Sequence, residues 1–224
     1  MNLSFTTSKS QLEALPPPMH IILASQSMGR KILLEKLGVR FRTIVTRVDE
    51  DSIVAKDPYK TIEKRATAKL DEVLNNPRVY MLDEKAHNLI IAADSMAIVG
   101  KKTYGKSESR EDAKRILKEL MDKTHVFATA VAVGYIEKDV GVKKRWEKMV
   151  TTKVTFRKLS NPEIDMYVTR YDFGRFAAAY ALNEAPWDLV TKIDGSYTNV
   201  IGLPFEVVLP IFRSLEIIKP PENI

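Results

Sequence analysis

Five apolar residues in a row, Leu89-Ile90-Ile91-Ala92-Ala93, are followed at once by a carboxylate, Asp94. A strand with one wet face alternates apolar and polar side chains, whereas an unbroken apolar run suits a strand covered on both faces. Helices must then lie above and below it, and the chain is α/β. The flanking pattern agrees. His20 to Ala24 is a short apolar run, and Arg30 to Leu37 follows with leucines at 33, 34 and 37 before Gly38, which reads as strand, turn, helix. Phe41 to Val45 reads as a second strand. Asp57 then caps a helix with Pro58 at its first position and Tyr59, Ile62, Ala66, Leu70 and Val73 along one face.

Beyond Asp94 the pattern loosens. Met96 to Val99, then Gly100 and Lys101, suggest a hairpin or loop, and a helix starts at Ser109 with Asp112 completing a capping box. Val126 to Ile136 and Trp146 to Phe156 read as the two long strands of a hairpin, with Lys143, Lys144 and Arg145 in its turn. Ser160 and Glu163 frame a second capping box around Pro162. Two more strands are expected, Phe176 to Leu182 and Trp187 to Ile193, before the turn Asp194-Gly195-Ser196 leads to a last helix opened by Pro204. There is no internal repeat. A chain of 224 residues suffices for one α/β domain, or for two lobes flanking a cleft. Residues 1–18 end in three prolines and read as an N-terminal extension, leaving 19–224 as the domain.

With no cysteine, a disulfide framework, a thiolate metal site and a cysteine nucleophile are all excluded. His20, His87 and His125 lack the close spacing of a zinc pair. The first 18 residues lack the apolar core of a signal peptide, and no later run has membrane-spanning length, so a soluble, cytoplasmic protein is expected. The net charge of +6 would suit a polyanion, but Lys143-Lys144-Arg145 is the one dense basic run and no aromatic side chains interleave it. That speaks against nucleic acid and for scattered surface charge plus a few phosphate ligands.

Three constellations could carry chemistry. Ser25-Gln26-Ser27-Met28-Gly29-Arg30-Lys31 lies where a strand turns into a helix, so free backbone N–H groups, two hydroxyls and two cations converge as a phosphate requires. An ordinary serine N-cap would look the same. Asp94 and Glu50 are the carboxylates best placed to hold magnesium, which takes oxygen ligands and needs only one or two from the protein. Alternatively they are a turn aspartate and a surface glutamate. Gly100 to Ser107 matches the G-x-x-x-x-G-K-[ST] phosphate loop, which keeps a P-loop NTPase in play. Against it, the helix start at Ser109 lies beyond Lys106 and Ser107, and the strand ending in Asp94 precedes the loop instead of following it.

Taken in order, LASQSMGRKILLEKLG (23–38), VDED (48–51), AADS (92–95), GKSESREDAKRILKEL (105–120), THVFATAVAV (124–133) and GSYTNVIGLP (195–204) resemble the Maf family of nucleoside triphosphate pyrophosphatases. The resemblance covers nearly everything after Met19. It implies an elongated α/β fold, with a mixed, twisted sheet, flanking helices and a cleft between two lobes. It implies hydrolysis of the α–β phosphate bond of a nucleoside triphosphate, with magnesium or manganese as cofactor; members are often homodimers. By position, Ser25, Ser27 and Arg30 correspond to the phosphate site, Glu50 to a metal-binding acid, Lys69 and Lys106 to two cleft lysines, and Asp94 to the proton acceptor and a metal ligand. Gly29, Ser95 and Asn183 fall where the family's substrate classes diverge. Ser95 and Asn183 look like the dTTP/UTP type, while Gly29 matches neither that branch nor the 7-methyl-GTP branch. Met28 and Gly29 depart from the family's usual opening motif, and Phe176 interrupts a stretch commonly Asp-Lys-Ala-Gly. Modified nucleotides therefore stay open as substrates, as does a non-catalytic nucleotide- or nucleic-acid-binding protein.

Overall fold

The computed structural model describes residues 18–180, 182 and 189–218. Apart from Pro18, the N-terminal extension lies outside the described residues. The chain begins with strand β1 (Met19–Ala24), helix α1 (Met28–Lys36), β2 (Phe41–Ile44), α2 (Pro58–Asn75) and a long β3 (His87–Val99). A short β4 (Lys102–Tyr104), α3 (Arg110–Leu120), β5 (Thr124–Glu137), β6 (Gly141–Phe156) and α4 (Asn161–Arg170) follow. A 3-10 turn at 173–175, β7 (Val190–Asp194), α5 (Tyr197–Ile201) and α6 (Phe205–Ser214) complete it. The seven strands form one mixed sheet in the order β2-β1-β3-β5-β6-β7, with β4 also on β3. β2, β1 and β3 are parallel; the rest pair antiparallel.

The apolar run behaves as its composition requires. Leu89, Ile91 and Ala93 pack with Leu33 and Leu34 of α1 and Phe212 of α6, while Ile90 and Ala92 pack with Ile62, Ala66 and Leu70 of α2. Two helical layers thus cover the two faces of one strand. A third core gathers Leu117 of α3, Tyr167 of α4, Phe127, Phe156 and Tyr180 at the other end of the sheet.

The register contains the feature that makes the site. β1 pairs with β3 only as far as Ala24 opposite Ala92. β5 fills one edge of β3 from Asn88 to Ile98, so β4, which pairs with residues 97–99, must lie on the same edge as β1. On that edge residues 93–96 are left between β1 and β4 with no strand beside them. The sheet is split there, and the β1–α1 turn and the β4–α3 loop close in on the gap from either side.

Several local expectations change. Asp94 is not the end of its strand; β3 runs five residues further because β4 and β5 pair with the extension. Phe176 to Leu182 is not a strand: Ala178 and Ala179 take φ of +58° and +60°, incompatible with extended backbone, and one bridge joins Ala177 to Lys106. Of the expected strand from Trp187, the part Val190–Asp194 forms, and residues 183–188 lie outside the described residues. Lys143, Lys144 and Arg145 sit within β6, the turn falling instead at 138–140. Ser109 does cap α3 through the Asp112 N–H at 3.1 Å, but the Asp112 carboxylate accepts from Glu108 instead of Ser109, so the box is incomplete. The box at Ser160 and Glu163 is complete. α5 had no sequence expectation.

Candidate active site

The split in the sheet opens into a cleft of about 720 Å³. Each candidate residue within the described chain reaches it. The β1–α1 turn supplies Ser25 and Ser27 and the first turn of α1 supplies Gly29 and Arg30; the connection after β2 supplies Glu50; α2 supplies Lys69; β3 supplies Asp94 and Ser95; and the loop after β4 supplies Lys106. Asn183 lies outside the described residues.

Ser27 is the N-cap of α1, its hydroxyl accepting from the Arg30 N–H at 3.5 Å, so the turn does present a helix start to the cleft. The Arg30 side chain is only 6% exposed and is held on three sides. Its Nε donates to Gly202 O at 2.8 Å, Nη1 to Ser25 Oγ at 2.7 Å and Nη2 to Ser95 Oγ at 2.9 Å. A guanidinium fixed in this way presents its charge without a search through rotamers. Burial lowers its pKa from the ordinary value, opposed by the charges of Asp94 and Glu50.

Ser95 and Asp94 point to opposite faces of β3, as successive strand residues must. Asp94 therefore meets α2, where Lys69 is 5% exposed. Lys69 Nζ lies 2.5 Å from Glu50 Oε2 and 3.6 Å from Asp94 Oδ1, and donates to Ala93 O at 3.2 Å. One ammonium thus bridges two carboxylates. Burial pushes the Asp94 pKa up, against the opposing pull of Lys69 and Arg30, and burial pushes that of Lys69 down. Asp94 Oδ2 is buried without a hydrogen-bond partner. An unsatisfied carboxylate oxygen calls for a proton or a cation, and Glu50 and Asp94 together form an all-oxygen donor set of the kind hard divalent cations take. Among the described residues no group of three or more acidic or imidazole side chains converges on a metal position.

Gly29 is required by packing. A Cβ there would stand 2.6 Å from Ile201 O, so a side chain would push α1 away from α5. Ser107 is buried and its hydroxyl finds no partner. With β4 running through Lys102–Tyr104 and the first turn of α3 beginning at Arg110, Gly100 to Ser107 crosses a hairpin and a loop. It does not wrap a helix start as a phosphate loop does.

Gly202, Thr129 and Asn199 also take part in the site, and reading the sequence missed them. Thr129 sits opposite Ser95 across the β3–β5 ladder, a pairing that becomes visible only once the register is known. The Gly202 signal was available: it ends α5 at φ +114°, the backbone of a glycine C-cap, and its carbonyl is the one that receives Arg30.

Among the described residues no helix is long and apolar enough to cross a membrane. Residues 20–215 match the Maf-like protein family. A protein of Treponema denticola named dTTP/UTP pyrophosphatase is 31% identical over 203 residues, 88% of this chain and 97% of its own. Another of that name, from Thermosipho melanesiensis, is 35% identical over 200 residues, 89% of this chain and all of its own. A nucleoside triphosphate pyrophosphatase of Trichodesmium erythraeum is 31% identical over 193 residues, 86% and 91% of the two chains. A family match over residues 20–215, with relatives aligned over nearly nine-tenths of the chain, means that this chain belongs to the Maf-like protein family.

Proposed function

We propose that this protein hydrolyses nucleoside triphosphates between the α and β phosphates, releasing a nucleoside monophosphate and pyrophosphate, with dTTP and UTP as the first substrates to try. The observation that carries the reading is the Glu50–Lys69–Asp94 bridge facing the clamped Arg30 guanidinium across one cleft. Two buried cations answer a polyanion, and a carboxylate whose pKa burial raises is suited to accept a proton.

In this mechanism Arg30, Lys106 and the hydroxyls of Ser25 and Ser27 hold the phosphates, and Lys69 faces the charge that grows on the departing pyrophosphate. Asp94 orients a water molecule and takes its proton as the water oxygen bonds to the α phosphorus and the bond to the bridging oxygen of the β phosphate breaks. Glu50 and Asp94 would hold magnesium or manganese, which when bound neutralises phosphate charge and draws electron density from the P–O bonds. A cytoplasmic setting, where nucleoside triphosphates are kept, fits this substrate class.

The test is a panel of nucleoside triphosphates, common and modified, incubated with magnesium or manganese and scored for products. Monophosphate with pyrophosphate is the expected outcome. Diphosphate with orthophosphate would overturn the proposal in favour of a γ-phosphate hydrolase.

A further inference from the structure

Ser95 Oγ and the backbone packed behind Gly29 both hold the Arg30 guanidinium. A serine hydroxyl has one proton to give. Ser95 Oγ accepts from Arg30 Nη2 at 2.9 Å and lies 2.9 Å from Thr129 Oγ1. Thr129 is fully buried, and its own proton goes to Asn199 O at 3.2 Å. The Ser95–Thr129 contact then has one polarity left, Ser95 donating and Thr129 accepting. The chain runs from the Arg30 guanidinium through Ser95 and Thr129 to the backbone of α5, with each proton committed. Asn199 is itself pinned, its Nδ2 donating to Phe127 O at 3.0 Å and Thr152 Oγ1 at 2.9 Å.

Gly29 supports the same guanidinium from below. Its missing Cβ lets α1 approach Ile201 O, and the next carbonyl along, that of Gly202, receives Arg30 Nε at 2.8 Å.

We infer that Ser95 and Thr129 are positioning residues for Arg30, forming a two-hydroxyl strut that aims the guanidinium at phosphate. The inference rests on the phosphate-binding role proposed for Arg30. It predicts a loss of grip on polyphosphate that ignores the base attached to it.

The experiment is titration calorimetry with inorganic tripolyphosphate, which carries no base, beside kcat/KM for dTTP, UTP, CTP and GTP. Ser95→Ala and Thr129→Val should each weaken tripolyphosphate binding about tenfold at unchanged stoichiometry, the fold-change of one lost hydrogen bond to a charged group. kcat/KM should fall by a common factor for all four nucleotides. The double variant should lose no more than Ser95→Ala alone, since both break one chain, and Thr129→Ser, which keeps the hydroxyl, should bind like the wild type. A merely destabilised fold would lower the stoichiometry instead of the affinity. The inference is overturned if Ser95→Ala changes the ratio between dTTP and GTP while tripolyphosphate binding stays intact, or if neither variant changes anything. A wild-type protein that binds tripolyphosphate but hydrolyses no nucleotide sinks the proposed function and leaves the strut standing; one that releases pyrophosphate from nucleotides but binds no tripolyphosphate sinks the strut and leaves the proposed function standing.

Discussion

Replacing one oxygen of Asp94 by an amide nitrogen removes the proposed proton acceptor and half of the acidic pair while keeping the shape that β3 and α2 pack around. Asp94→Asn should lower kcat by about 10²- to 10⁴-fold, the usual span for a lost general base, with nucleotide binding retained. Stability should move the other way. Burial raises the native pKa of Asp94, so the native state favours its protonated form, and the stability this gives at low pH is lost as pH rises through that raised value. At neutral pH the ionised carboxylate is a cost that asparagine lacks. Lys69 keeps Glu50 and Ala93 O as partners, so the Tm of the variant should equal or exceed that of the wild type, as calorimetry would show. Ser107→Ala is the companion measurement. Its hydroxyl is buried and bonds to nothing, so deleting it should leave kcat/KM within about twofold and stability unharmed. An inactive Ser107→Ala beside an active Asp94→Asn would restore the phosphate-loop reading of Gly100 to Ser107.

Helix α2 carries Lys69 to the cleft, and what holds it there is the apolar row beginning at Ile62 and Ala66 and ending at Leu70 and Val73, all buried against β1 and β3. Leu70→Ala should cost about 3 kcal/mol, the middle of the range for a buried leucine, and kcat/KM should fall even at temperatures where the variant is folded, because Lys69 is the adjacent residue. Urea unfolding and steady-state assays at about 25 °C would check the pair of effects. This helix was legible because its signals are local: an aspartate cap, a proline at the first position and a 3.6-residue apolar row. The same holds for the turn into α1 and for the apolar run before Asp94. Elements set by distant partners were not legible. The extension of β3 past Asp94 depends on β4 and β5, and the apolar stretch from Phe176 is bent at Ala178 and Ala179, where Ala178 N–H donates to Gly105 O at 2.6 Å. The candidate residues could be named one by one from their motifs. That Ser95 carries Arg30 could not, since the strut joins residues from α1, β3, β5 and α5.

At the scale of the whole molecule the cleft lies between two parts of one sheet, the parallel end that carries Arg30, Lys69 and Glu50, and the antiparallel end where Phe127 and Tyr180 form part of the wall. Burial in the second wall favours the neutral form of His125. His125 is 1% exposed, edge-on to Phe156 and Tyr180, with Nε2 2.9 Å from the Tyr180 hydroxyl and Nδ1 unpartnered. Burial pushes its pKa down from 6.5 to about 4. A depressed pKa means that the unfolded chain takes up the proton first. The stability gained by keeping His125 neutral is therefore complete above about pH 6.5, erodes as pH falls and is gone at the native value near 4. At 1.36 kcal/mol per unit this amounts to about 3 kcal/mol across the window, a large share of a typical domain's stability. His125→Phe keeps an aromatic ring beside Phe156 and Tyr180 but cannot be protonated. The variant should start lower near pH 7, because Tyr180 loses its hydrogen-bond partner, and should then lose about 3 kcal/mol less than the wild type between pH 6.5 and 4. Urea unfolding at several pH values measures both slopes, and parallel slopes would show that His125 titrates alike in the native and unfolded chains, leaving the acid sensitivity of this wall to other groups.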